Sequence, residues 1–178
     1  MDIKGNSVRY GAVAIALHWI SAFVALAMLG TGFAASFAAE PQKVVLLRIH
    51  VPLGITVLVL TFGRIVWRFI DTRPKDPAGQ PRWQALAAHS VHTLLYLALL
   101  VMGTSGIGLI VLSGAAAVLF LGASGPLPDF AAFTPMAAHA AAALALLAFV
   151  ALHVGAALYH QFVRRDRLFS RMGAGQTG

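Results

Sequence analysis

Residues 139–153 read HAAAALALLAFVALH, thirteen apolar residues closed at each end by a histidine. Fourteen residues of α-helix rise about 21 Å and, at 100° each, return to within about 40° of the starting face. His139 and His153 therefore look the same way from two depths of one long apolar helix. A buried imidazole needs a partner for its polar atoms. Two of them at this spacing imply two separate sites, each completed from elsewhere in the chain.

The surroundings of that helix are apolar throughout. Of 178 residues 59% are hydrophobic and 11% charged, against roughly 25% charged in soluble domains. Apolar runs at 11–39, 44–70, 88–121 and 134–162 each reach the roughly 20 residues that cross a bilayer as a helix. The expected fold is an all-α membrane protein, a four-transmembrane-helix bundle with spans 11–37, 44–70, 88–113 and 134–162. The third run is too long for one crossing and breaks at Ser113-Gly114, leaving AAAVLFLG as a short outer piece. TRPKDPAGQPR (72–82), with three prolines and a glycine, lies in the expected linker 71–87. Glu40-Pro41 places a proline where the second helix should begin.

Lys4 and Arg9 before the first run and Ser36-Phe37-Ala38 after it look like a signal peptide. That apolar run is far longer than the 7–15 residues such a core needs, and it contains His18-Trp19, so it reads as a retained span. Charge orients the bundle. Lys4, Arg9, Arg64, Arg68, Arg73, Lys75, Arg82, Arg164, Arg165, Arg167 and Arg171 fall on one side, and only Lys43 and Arg48 on the other. By the positive-inside rule both termini are cytoplasmic. The net charge of +7 is accounted for by anionic lipid headgroups without a nucleic acid partner.

Depth then sorts the histidines. His50 and His139 lie toward the outer side; His18, His89, His92 and His153 lie toward the cytoplasm. The outer layer offers His139 one partner, His50; the inner layer offers His153 either His18 or His92. A single membrane histidine is compatible with a plain interhelical hydrogen bond or a proton relay, but histidines pairing at two depths favour ligation. Tetrahedral zinc wants about four ligands at one depth, and no carboxylate is available in either layer. There is also no cysteine for a thiolate site or a covalently anchored haem. A planar macrocycle with one axial imidazole from each side fits, which gives two b haems with bis-histidine ligation. Gly54 and Gly155 are positions where a flat ring could approach the backbone.

RYGAVAIALHWIS (9–21), RIHVPLGITVLVLTFGRIVWR (48–68), AAHSVHTLLYL (87–97) and the His139/His153 pair followed by AALYHQF (156–162) together resemble the bacterial cytochrome b561 family of four-helix di-haem proteins. The resemblance covers nearly the whole chain. It implies two haem b groups, the inner one on His18 and His153 and the outer one on His50 and His139, with His92 and His160 near the inner haem but not ligands. It further implies residence in the bacterial inner membrane and an activity known among family members, oxidation of superoxide outside coupled to reduction of ubiquinone. The connection GASGPLPDFAAFTP (122–135) departs from the family in being short and almost uncharged.

On that reading Lys43 and Arg48 are the residues that would draw in anionic superoxide, or else pair with haem propionates or lipid phosphates. His160, two turns beyond His153, is the expected proton donor to the quinone, with His92 second. Arg64, fourteen residues after His50, is expected beside the inner haem, on a propionate or a quinone carbonyl. GTSGIG (103–108) reads as a helix-packing surface. The alternative function is a cytochrome b relay subunit serving a partner dehydrogenase or a periplasmic redox protein. A haem-free proton or metal transporter is a third.

Overall fold

Helix α1 (Ala12–Phe37) starts after an extended Gly11 and ends on an extended Ala38. A cis Glu40-Pro41 bond leads into α2 (Gln42–Ile70), so Pro41 stands at the cap and not within the first turn. Helix α3 (Arg82–Ser113) follows Pro81 and stops at Gly114, whose φ of 67° is the left-handed conformation that ends a helix at least cost to glycine. The short α4 (Ala116–Phe120) is the AAAVLFLG piece, and a 3-10 turn (Phe130–Ala132) capped by the Asp129 side chain precedes α5. Helix α5 (Pro135–Leu158) has proline at its start, where no donor is lost. It continues as a π-helical stretch, Tyr159–Arg164, before the single turn α6 (Leu168–Arg171). The computed structural model describes residues 2–75, 79–166 and 168–173; Pro77 of the linker and the cationic Arg167 lie outside the described residues.

Four helices are long and apolar enough to cross a membrane: α1, α2, α3 and the stretch Pro135–Arg164. The third begins six residues before the apolar run expected at 88. RWQALA (82–87) winds as helix although it is not apolar throughout, because hydropathy marks the lipid boundary and not the first hydrogen-bonded turn. The linker shortens accordingly to 71–81.

Large apolar side chains cover the outside, Phe23 at 76% exposure and Val111 at 70% among them. In water such a surface would aggregate; in lipid it is the solvated face. The interior is a single mid-level cluster from all four spanning helices: Met28, Leu29, Val57, Ala98, Leu99, Met102, Ala142 and Leu146. The buried hydroxyls of Ser21, Thr61 and Ser105 donate to the carbonyls of Leu17, Val57 and Val101 one turn earlier, so no polar group is stranded there.

The described segments nearest the two ends of the chain, 2–10 and 168–173, sit together at the arginine-rich end. Asp71 accepts the Gly5 amide at 2.7 Å and the Trp67 indole N–H at 3.1 Å. The Lys75 amide donates to the Ser7 carbonyl, and the Tyr10 amide to that of Arg171. Trp19 donates to the Met172 carbonyl and Arg171 to that of Lys75. Termini joined at one end require an even number of crossings, as the charge distribution does.

Candidate functional site

His50 on α2 and His139 on α5 face each other with ring centroids 6.1 Å apart and planes crossed at 82°. His50 Nδ1 lies 2.9 Å from the Met28 carbonyl oxygen. A carbonyl only accepts, so Nδ1 carries the proton and Nε2 keeps its lone pair. His139 Nδ1 lies 3.0 Å from Ser105 Oγ, whose own hydrogen goes to the Val101 carbonyl at 2.5 Å. The hydroxyl oxygen therefore accepts here, and His139 is set in the same tautomer. Such second partners are how ligating histidines are oriented and made more basic.

Glycine makes room for both rings. A Cβ at Gly32 would stand 2.7 Å from His50 Cε1, and one at Gly106 would stand 3.2 Å from His139 Cε1. Gly54 and Gly155 touch neither ring: the nearest atom to a Cβ at Gly54, which lines the same cavity as His50 and His139, is Met28 Sδ at 3.9 Å, and none lies within 4 Å at Gly155. Gly103 and Gly108 pack against Leu58 and Pro135, so the GTSGIG stretch is a packing surface that also supplies Ser105. The two imidazoles line a cavity of about 900 Å³ whose lining also includes Lys43, Glu40 and Asp129.

Toward the other end, His18 on α1 and His153 on α5 repeat the separation, 6.1 Å between centroids with planes at 62°. His92 on α3 stands closer to His153, at 5.1 Å. A metal–imidazole bond of about 2 Å puts a ring centroid roughly 3 Å from the metal, so two axial imidazoles stand roughly 6 Å apart. Both 6.1 Å pairs have that room, and the His92–His153 pair falls short of it. Among the described residues no cluster of three or more His, Cys, Asp or Glu could hold a metal ion. Two imidazoles from separate helices at each level would suit a planar group held from two sides.

The inner layer differs in its electrostatics. Arg64 Nη2 lies 3.4 Å from His18 Nδ1, and its guanidinium stands 5.2 Å from the centre of the Tyr96 ring. A guanidinium only donates, so this contact sets His18 with its proton on Nε2, opposite to the tautomer of the outer pair. For Nε2 to act as a ligand Arg64 must release Nδ1, and Tyr96 already offers its face as an alternative seat.

The remaining expected residues separate. Lys43 lines the outer cavity with His50 and His139. Arg48 does not; its Nε and Nη2 donate to the carbonyls of Leu119 and Val118 at 2.6 and 3.3 Å. These are unsatisfied acceptors at the negative end of α4, which a cation favours. His160 lies in the π-helical stretch, its Nδ1 2.5 Å from Asp166 Oδ2. Ser105, Gly32, Gly106 and Asp166 went unnoticed in the sequence. GTSGIG was a visible signal for Ser105 and Gly106, whereas Gly32 in LGTGF (29–33) and Asp166 carried none that hydropathy or histidine spacing could reveal.

An all-helical membrane bundle whose histidines face each other across gaps sized for a planar group defines the class of membrane b-type cytochromes. Within that class the chain belongs to the prokaryotic cytochrome b561 family, whose profile matches residues 9–175. It is 30% identical to cytochrome b561 homolog 1 of Escherichia coli (strain K12), over 92% of this chain and 96% of that one. It is 32% identical to cytochrome b562 of Cereibacter sphaeroides, over 92% and 94%. Against the probable superoxide oxidase CybB of Yersinia pestis the identity is 28%, over 92% and 95%. The chain is thus a bacterial membrane protein of a haem b-binding, electron-transferring family, with its spanning helices in contact with lipid.

Proposed function

We propose that the chain binds two haem b groups, one between His50 and His139 and one between His18 and His153, and moves electrons between the two faces of the bacterial inner membrane. The observation that carries this reading is the equal 6.1 Å separation at two levels, with the apolar cluster of Met28, Val57, Met102 and Leu146 between them. Each bound haem supplies a centre that accepts and returns one electron. The residues of the chain hold and orient those centres: Met28, Ser105 and two glycines at the outer level, while at the inner level Arg64 leaves His18 Nδ1 for the face of Tyr96 when Nε2 ligates.

Superoxide is the proposed donor and ubiquinone the proposed acceptor. Two superoxide anions each give up one electron and leave as dioxygen; two electrons and two protons then convert one ubiquinone to ubiquinol. The likeness to a protein named a probable superoxide oxidase supports this, as does Lys43 in the lining of the cavity shared by His50 and His139. His160, near the cytoplasmic end, is the proposed proton donor.

One observation favours the relay alternative. Lys43 shares the cavity lining with Glu40 and Asp129, and Arg48 is held by the end of α4. One lysine against two carboxylates leaves the charged part of the lining net negative, which weakens electrostatic capture of a small anion. Stopped-flow mixing of the oxidised protein with superoxide separates the two. Rapid growth of the reduced haem α-band, with ubiquinol formed in quinone-loaded liposomes, supports the oxidase; slow reduction without quinol leaves the relay.

A further inference from the structure

From Tyr159 the α-helix gives way to a π-helical stretch, and Arg165 adopts φ 57°. Positive φ is uncommon for a residue with a β-carbon and costs free energy unless the surroundings impose it. The reversal has a definite product. In an unbroken α-helix a residue six positions on is rotated 240° and would point away. Here the Arg165 and Asp166 amides both return to the His160 carbonyl, and Asp166 Oδ2 meets His160 Nδ1 at 2.5 Å. The pair is largely enclosed, the side chains 14% and 23% exposed, with Arg164 Nε 3.8 Å from the same carboxylate oxygen. Asp166 Oδ1 and the neighbouring Gln161 Oε1 are buried without a hydrogen-bond partner among the described residues.

We infer that Asp166 is the positioning residue of the proton-delivering histidine: it holds the Nδ1–H of His160 and leaves Nε2 as the atom that passes protons to the bound quinone. This rests on the proposed quinone reduction and deepens it. A carboxylate accepts only, so the contact selects the Nδ1–H tautomer and stabilises the imidazolium formed when Nε2 takes up a proton. Each proton leaves Nε2 for a quinone oxygen, and Nε2 is reprotonated from cytoplasmic water. Two such transfers balance the two electrons arriving through the chain and give the quinol. The π-helical winding and the strained Arg165 are the local distortion that makes this pair, in keeping with the frequent placement of π-bulges at functional sites.

Two measurements on the full-length haem-loaded protein test the inference. In ¹⁵N-histidine NMR, neutral His160 should show the Nδ1–H tautomer in the wild type and lose that preference in Asp166→Asn; an Nε2–H tautomer in the wild type overturns the assignment whatever the acceptor. In the second, dithionite-reduced protein is mixed anaerobically with decylubiquinone and haem reoxidation is followed. Asp166→Asn should slow it by about tenfold or more, in the range of a lost acid–base partner. Asp166→Glu should keep most of the rate, and acetate should restore part of it in Asp166→Gly, all with unchanged haem content. Wild-type reoxidation rates in Asp166→Asn overturn the role of Asp166. Failure of the wild type itself to be reoxidised instead overturns the quinone reading on which it rests.

Discussion

His50 and Gly32 are interlocked: the imidazole occupies the space that a β-carbon on residue 32 would fill, 2.7 Å from Cε1. Gly32→Ala should push His50 off its hydrogen bond to Met28 and weaken or abolish binding of one haem, leaving the other spectrally intact. Gly30→Ala is the control, since no atom lies within 4 Å of that β-carbon. Reduced-minus-oxidised spectra of the two variants check this; equal, unaltered spectra would contradict it.

Ser105→Ala removes the acceptor for His139 Nδ1. Loss of such a partner lowers affinity for the ligated group by about tenfold to a hundredfold. Haem transfer to apomyoglobin, followed optically, should speed up for one haem only.

His92 and His18 compete for His153 in the sequence but not in distance. His18→Ala should lose the inner haem, whereas His92→Ala should retain both, because its ring stands too near His153 to leave room for an axial metal. Haem quantitation on the two purified variants decides it.

Arg64 places a cation in contact with His18 of the inner layer, where the outer histidines contact a carbonyl and a hydroxyl. A nearby positive charge favours the reduced state, so the inner haem should have the higher midpoint potential and draw electrons inward. Arg64→Gln should lower that midpoint by tens of millivolts, where about 59 mV is a tenfold bias for one electron. Optical redox titration measures it, and an unchanged midpoint would contradict the assignment.

Lys43→Glu should slow haem reduction by superoxide severalfold, because it replaces a cation by a third carboxylate in a lining that already holds Glu40 and Asp129. Arg48→Gln should leave that rate near wild type while loosening α4 from α2. A larger loss with Arg48→Gln than with Lys43→Glu would reverse these roles.

Much of this architecture was legible beforehand because each feature has its own physical signature. Spans follow from apolar runs, and the two levels of histidines from the fourteen-residue step between His139 and His153. What was not legible depends on neighbours distant in sequence. Arg48 and Lys43 look equivalent until α4 folds over α2 and takes one of them. Gly32 and Gly106 make room for the imidazoles themselves, because which glycine faces an imidazole depends on how the helices cross. Asp166 reaches His160 only through a π-helical turn and a left-handed residue that no α-helical periodicity anticipates. The start of α3 was misplaced for a simpler reason: helices extend beyond the bilayer core, and hydropathy does not.

The most direct test of two histidine-held haems at two depths is the haem-to-chain ratio by the pyridine haemochrome method for the wild type and for single alanine variants of His18, His50, His139 and His153. The account predicts two haems in the wild type and one in each variant, His50 and His139 losing the same spectral component and His18 and His153 the other. A wild-type ratio of one, or loss of the same component in His139→Ala and His153→Ala, would contradict it.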